Sequence, residues 1–217
     1  MRVVIAGGHG QIAQHLERRL AERGDTPVGI VRNPDHRADL EANGAEVAVL
    51  DLEQASVADL AAVLEGADAV VFAAGAGPGS GAARKETVDR DAAVLLADAA
   101  EQAGVRRYVM VSAMGADSGG GGGEDVFSVY LDAKKAADDD VIARDLDWTV
   151  VRPGGLTEDP GTGRVRVAAS TGRGQVPRED VAAVIVAVLD RPASARQVLE
   201  VIGGDTPVEE AVAAPGP

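Results

Sequence analysis

Short runs of consecutive apolar residues alternate along this chain with longer stretches in which apolar residues recur every three or four positions. Val3 to Ala6 is the first such run, and Ile12, Ala13, Leu16 and Leu20 follow it with helical spacing. The alternation predicts strands over residues 2–6, 27–31, 46–50, 69–73, 107–112 and 148–152, with later strands at 164–168 and 197–202. Helices are predicted over 11–23, 57–64, 83–103, 126–144 and 178–190. Strands as continuously apolar as VVFAA and YVMVS suit a parallel sheet covered on both faces. Strand and helix alternating through right-handed crossovers make a doubly wound α/β sheet. The length of 217 residues allows one domain, read as residues 1–204 with a small C-terminal lobe over about 153–204. Residues 205–217, rich in Pro, Ala and Glu, are predicted to be a flexible tail.

Composition narrows the picture. Apolar residues make up 46% of the chain but aromatic ones only 2%, so the core must be built from Ala, Val, Leu and Ile. Each ring (Phe72, Tyr108, Phe127, Tyr130, Trp148) therefore asks for its own explanation. A net charge of −14 argues against nucleic acid and against anionic membranes as partners. It also requires any phosphate-bearing ligand to find its cations locally. The absence of cysteine excludes disulfides, thiol catalysis and zinc–thiolate sites. Met1-Arg2 leads straight into the first strand and no apolar run reaches 18 residues, so the expectation is a cytoplasmic protein with no membrane span.

The first turn carries the strongest chemical signal. Between strand and helix lies Gly7-Gly8-His9-Gly10, with Ala13 where the helix must approach the strand. Strand, glycine turn and helix together place backbone N–H groups and a positive helix end beneath a diphosphate. The second strand ends in Arg32, where an NAD-preferring site would place an acid for the ribose 2′-hydroxyl. A guanidinium there suits a 2′-phosphate, so NADP is expected over NAD. Asp51 and Leu52 end the third strand, where they either meet an adenine ring or, for Asp51, cap the next helix. Ala73, Ala74 and Gly75 end the fourth and are small enough to let ribose and phosphate come close.

Two glycine-rich loops, at 75–81 and 113–124, follow the C-terminal ends of strands, where ligands bind in such sheets. The five consecutive glycines at 119–123 are either a tolerated insertion or a mobile cover. Ser112 ends the fifth strand, and Tyr130 and Lys134 stand four apart on one predicted helix face. An ammonium beside a phenol lowers its pKa, and such a phenol exchanges a proton with a carbonyl or alcohol that Ser112 holds by a hydrogen bond. The plainer reading is a surface Tyr–Lys pair. His15 and His36 have no acidic partner at metal-ligand spacing and read as surface histidines. Asp138-Asp139-Asp140 reads as a solvated face, Trp148 as packing, and Arg164, Arg166 and Arg173 as exposed loop arginines.

The segments GGHGQIA, VRNPD, DLE, FAAGAG, VDRDAA, RRYVMVSAMGA, YLDAKKAAD and TVVRPGGLTEDPGTGRV resemble the atypical short-chain dehydrogenase/reductases, within the broad group of NAD(P)H-binding Rossmann proteins. The resemblance covers nearly the whole chain. It implies that Gly7, His9 (through its backbone), Gly10, Gln11 and Ile12 hold the diphosphate. Arg32 would go to the 2′-phosphate, Asp51 and Leu52 to adenine, and Ala73, Ala74 and Gly75 to ribose. Pro153, Gly154, Gly155 and Leu156 would cover the nicotinamide end, and Ser112, Tyr130 and Lys134 match the family's serine, tyrosine and lysine. The implied activity is an NADP-dependent oxidoreductase, or an epimerase-like relative, transferring hydride with Tyr130 as acid/base. About 65 residues follow residue 152, too few for a large sugar-nucleotide lobe, which favours a small carbonyl, quinone or flavin-like substrate. The alternative is an NADPH-binding, redox-sensing regulator without turnover.

Overall fold

The computed structural model of the protein describes residues 1–77, 79–123 and 125–216. Its elements, in order, are β1 (Arg2–Ala6), α1 (Gln11–Glu22), β2 (Thr26–Val31), α2 (Arg37–Ala42), β3 (Glu46–Val49), α3 (Val57–Val63) and β4 (Ala69–Phe72). Next, α4 (Ala82–Arg84) widens into a π-helical stretch, Lys85–Asp91, before α5 (Ala92–Ala103), β5 (Arg107–Val111), α6 (Val126–Ala143) and β6 (Asp147–Pro153). The chain closes with β7 (Gly155–Thr157), β8 (Arg164–Ala168), β9 (Gln175–Pro177), α7 (Arg178–Leu189), β10 (Gln197–Gly203), β11 (Thr206–Pro207) and α8 (Val208–Ala213).

The sheet runs β11-β8-β10-β6-β5-β4-β1-β2-β3. From β10 to β3 every pairing is parallel, as the continuous apolar runs predicted. Successive strand residues point to opposite faces, which sorts the core into two layers. Val3, Ile5, Val71, Val109 and Val151 pack beneath α1 and α7. Val4, Ala6, Phe72, Met110 and Val150 pack beneath α3, α5 and α6. In α1 the buried positions are Ala13, Leu16, Glu17 and Leu20, one helical stripe with an acid inside it. Ser56 and Asp59 close a reciprocal capping box that starts α3. Three of the rings serve this framework: Phe72, Tyr108 and Trp148 are buried, and the Tyr108 hydroxyl donates to the Ala93 carbonyl at 3.1 Å.

Within the stretch read as a small C-terminal lobe, about 153–204, β10 pairs in parallel with β6, and β8 pairs antiparallel with β10. Among the described residues only the short β7–β9 ladder stands outside the main sheet. Residues 205–216 are docked rather than frayed: β11 pairs with β8, and α8 buries Val208, Ala211 and Val212. The predicted helix over 83–103 is interrupted by the π-helical turns, a form that concentrates at functional sites. The glycines of 119–123 lie against the start of α6, where the Gly120 amide donates to Asp132 at 2.7 Å. Among the described residues no helix is long and apolar enough to cross a membrane.

Candidate functional site

The strand order reverses between β1 and β4, and the crevice outside the strand ends at that point is where ligands bind in such sheets. A cleft of about 260 Å³ opens there. Gly7, His9, Gly10, Arg32, Asp51, Leu52, Ala73, Ala74 and Gly75, nine of the residues singled out from sequence, line it. Gly7 sits at φ 84°, and a Cβ on it would lie 2.6 Å from the Ala74 Cα, so the turn requires glycine twice over. Gly10 is the N-cap of α1; no side chain caps it, and no acid stands in the first helical turn, where Gln11 and Ile12 lie. A glycine-built cradle beneath an uncapped, positive helix end fits a diphosphate.

The His9 imidazole has partners of its own. It bonds Asp39 at 2.9 Å and stacks on His36 with ring centroids 3.6 Å apart. At the adenosine side, Arg32 is 56% exposed and donates to Glu53 at 3.1 Å. Arg84 donates to the same Glu53 oxygen at 2.8 Å, and the Thr87 hydroxyl to the other at 2.7 Å. The Thr87 hydrogen bond foremost, with the two guanidinium groups, holds the Glu53 carboxyl below its ordinary range. Asp51 accepts from the Glu53 amide at 3.1 Å, forming a local turn while still lining the cleft. Sequence reasoning missed Asn33, His36, Glu53, Arg84 and Val88, which also line it.

The second group gathers where β5, α6 and the π-helical stretch meet. The Lys134 ammonium is buried, donates to the Val111 carbonyl at 3.2 Å and lies 3.4 Å from Asp89. It is 5.9 Å from the centre of the Tyr130 ring. The Tyr130 hydroxyl makes no hydrogen bond with a described residue. Burial, reinforced by the charges of Asp89 and Asp138, pushes this phenol up, opposite to the lowering expected from Lys134. Lys134 itself is paired with Asp89. Ser112 is likewise committed, because its hydroxyl donates to Asp138 at 2.8 Å. Asp138, expected on a solvated face, is buried, and Arg152 reaches its Oδ2 through two nitrogens, each at 3.0 Å. Burial raises the Asp138 pKa against the pull of Ser112 and Arg152, and its Oδ1 has no partner. One signal for Asp138 was available: it stands four residues beyond Lys134, on the same face of α6.

Pro153 ends β6, and its carbonyl accepts from the Met114 amide at 3.0 Å. Gly154 and Gly155 join the sheet to the β7–β9 ladder through amides that donate to Val201 and Gly174 at 2.9 Å each. Leu156 follows, partly exposed. These four lie outside the glycine cleft. A second cavity, of about 290 Å³, is lined by Gly77, Gly79, Ser80, Lys85, Val126, Phe127 and Tyr130. It holds the two rings that the core does not use.

A family model for NAD(P)H-binding proteins matches residues 7–192. A Bacillus subtilis protein named as an uncharacterized sugar epimerase, YhfK, is 38% identical over 213 residues, covering 98% of this chain and 99% of the relative. A Bacillus halodurans structure described as an NAD-dependent epimerase/dehydratase superposes with a TM-score of 0.91 at 35% identity, over 98% of this chain and 99% of that one. The oxidoreductase ylbE from Lactococcus lactis gives a TM-score of 0.86 at 26% identity, over 98% and 95%.

Proposed function

The chain belongs to the NAD(P)H-binding family, and from that premise we propose that it is an NADP-dependent oxidoreductase that reduces a small carbonyl, quinone or flavin-like compound. The observation that carries the reading is Tyr130: a phenol that hydrogen-bonds none of the described residues, on the wall of a cavity, one helical turn from a buried ammonium. Its raised pKa keeps it protonated at neutral pH, so it acts as a proton donor, which favours reduction over alcohol oxidation. A nicotinamide, when bound, supplies the hydride. Tyr130 gives its proton to the substrate oxygen as charge develops there: the phenolic O–H bond breaks and a new O–H bond forms on substrate. The resulting phenolate has two ammonium groups, of Lys85 and Lys134, within 6 Å of its ring centre. Asp138 orients Ser112, whose oxygen lone pairs are then available to accept. In this reading Lys134 also serves the nicotinamide ribose, and Pro153 to Leu156 cover the ring.

The cofactor assignment follows the glycine cradle for the diphosphate and Arg32 for the 2′-phosphate, with Arg84 as a second cation beside it. Two charge-assisted hydrogen bonds contribute about 1.5–3 kcal/mol each. Arg32→Ala is therefore expected to weaken NADPH at least tenfold by calorimetry and to leave NADH unchanged. Equal loss of both would take Arg32 out of 2′-phosphate recognition. Tyr130→Phe is expected to abolish turnover and spare NADPH binding; unchanged turnover would remove the phenol from acid/base work. One observation favours the second reading, a redox-sensing protein without turnover. Ser112 spends its proton on Asp138 and offers none to a substrate. Partner binding that tracks the NADPH/NADP ratio in the Tyr130→Phe variant would support it.

A further inference from the structure

Lys85 is 8% exposed, and among the described residues no carboxylate comes within 4 Å of its ammonium. Among the described residues its one hydrogen bond goes to the Gly77 carbonyl at 3.0 Å. It also faces the Tyr130 ring, whose centre lies 5.2 Å away. Asp89, four residues on, is taken by Lys134 at 3.4 Å and by the Ala76 amide at 3.2 Å. A cation withdrawn from water without a counter-charge is costly, and proteins that keep one commonly use it. Here it lines the cavity shared by Tyr130, Phe127 and Val126, not the glycine cleft. Phe127 is 65% exposed and Val126 50%, so an apolar wall stands open beside the cation.

We propose that Lys85 is the anion-binding residue of the substrate pocket, and that the substrates are carbonyl compounds carrying one carboxylate on an apolar, ring-bearing body. The single charge follows from the supply of cations. One ammonium lines this cavity, in a chain of net charge −14 that repels polyanions. The apolar body follows from Phe127 and Val126. The inference rests on the reading of Tyr130 as proton donor and extends it to what lies beside that donor.

The test uses the full chain saturated with NADP. The probes are 1-anilinonaphthalene-8-sulfonate, an aromatic monoanion, and its neutral counterpart N-phenyl-1-naphthylamine, both followed by fluorescence. Lys85→Met is expected to weaken the anionic probe about tenfold or more and to leave the neutral probe within about twofold, while Lys85→Arg keeps both. On the wild type, 4-formylbenzoate is expected to displace the anionic probe better than its methyl ester or 4-formylphenyl phosphate. Loss of that advantage in Lys85→Met ties it to the ammonium. Equal binding of the anionic probe by wild type and Lys85→Met would overturn the proposal, and so would parallel loss of both probes. Should Lys85→Met not fold, salt decides: rising sodium chloride must weaken the anionic probe on wild type and spare the neutral one, and a flat response overturns the proposal. NADPH binding and NADPH-dependent reduction of 4-formylbenzoate are measured separately. A Lys85-dependent anion site without reduction would sink the oxidoreductase reading alone. Reduction that is indifferent to Lys85 would sink this inference alone.

Discussion

Glu17 lies in the apolar stripe of α1, fully buried. Its Oε2 accepts from Asn43 at 3.1 Å, and its Oε1 has no partner. The β2 backbone lies close on the other side, where a Cβ on Gly29 would stand 2.6 Å from Oε1. Desolvation raises the pKa from 4.5 to about 7. Below pH 4.5 folded and unfolded chains both hold the proton, and the group is neutral to stability. Between pH 4.5 and about 7 the unfolded chain ionises first, so the stability present at low pH is lost as pH rises through the folded pKa. At 1.36 kcal/mol per pKa unit, the loss amounts to about 3 kcal/mol. Glu17→Gln keeps the shape and removes the ionisation. The variant is therefore expected to match wild type near pH 4.5 and to exceed it by up to about 3 kcal/mol at pH 8. Urea unfolding at a series of pH values, followed by circular dichroism and the fluorescence of Trp148, measures the difference. Groups shared by both proteins cancel in it. Parallel stability profiles for wild type and variant would refute the argument that this carboxyl is held protonated by burial.

Other outcomes follow from the same geometry. Gly7→Ala must adopt a positive φ and press its Cβ on the Ala74 backbone, so unfolding free energy is expected to fall by at least about 2 kcal/mol. NADPH binding, read by calorimetry, is expected to be lost with it. Asp89→Asn strands the buried Lys134 ammonium and is expected to cost about 3–5 kcal/mol in urea unfolding. The double variant with Lys134→Met recovers most of that; a purely additive loss would show that the two groups are not coupled.

The framework was legible because its signals are local. The apolar runs of β1, β4, β5 and β6, the glycine turn at Gly7 to Gly10 and the stripe on α1 each lie within a dozen residues. They placed the parallel strands and nine of the cleft residues where the structure has them. What the sequence hid depends on pairing at a distance. The acid that neutralises Lys134 is Asp89, 45 positions earlier, buried in the π-helical stretch. Ser112 and Arg152 meet across Asp138, which reads as surface in a run of three aspartates. The direction of the Tyr130 shift was misjudged for the same reason: proximity to Lys134 was visible, the burial of the phenol and the acids Asp89 and Asp138 near it were not. Residues 205–216 carry too little apolar sequence to announce a docked segment, yet Val208, Ala211 and Val212 suffice once β8 is there to receive them.

That docked segment closes one side of the sheet. β11 pairs Thr206 with Val165 and Pro207 with Arg164, and Gly216 returns to bridge Ala168 at the far end of β8. The outermost strand is thus two residues long and ends in a proline, which has no N–H to offer a further strand. Without residues 205–217, β8 would present a free ladder carrying Val165 and Val167, a template for pairing with another copy of itself. The last residues of the chain therefore act as a built-in guard against aggregation. A chain ending at residue 204 is expected to retain the glycine cleft and lose its solubility, with light scattering rising with concentration where the full chain stays flat.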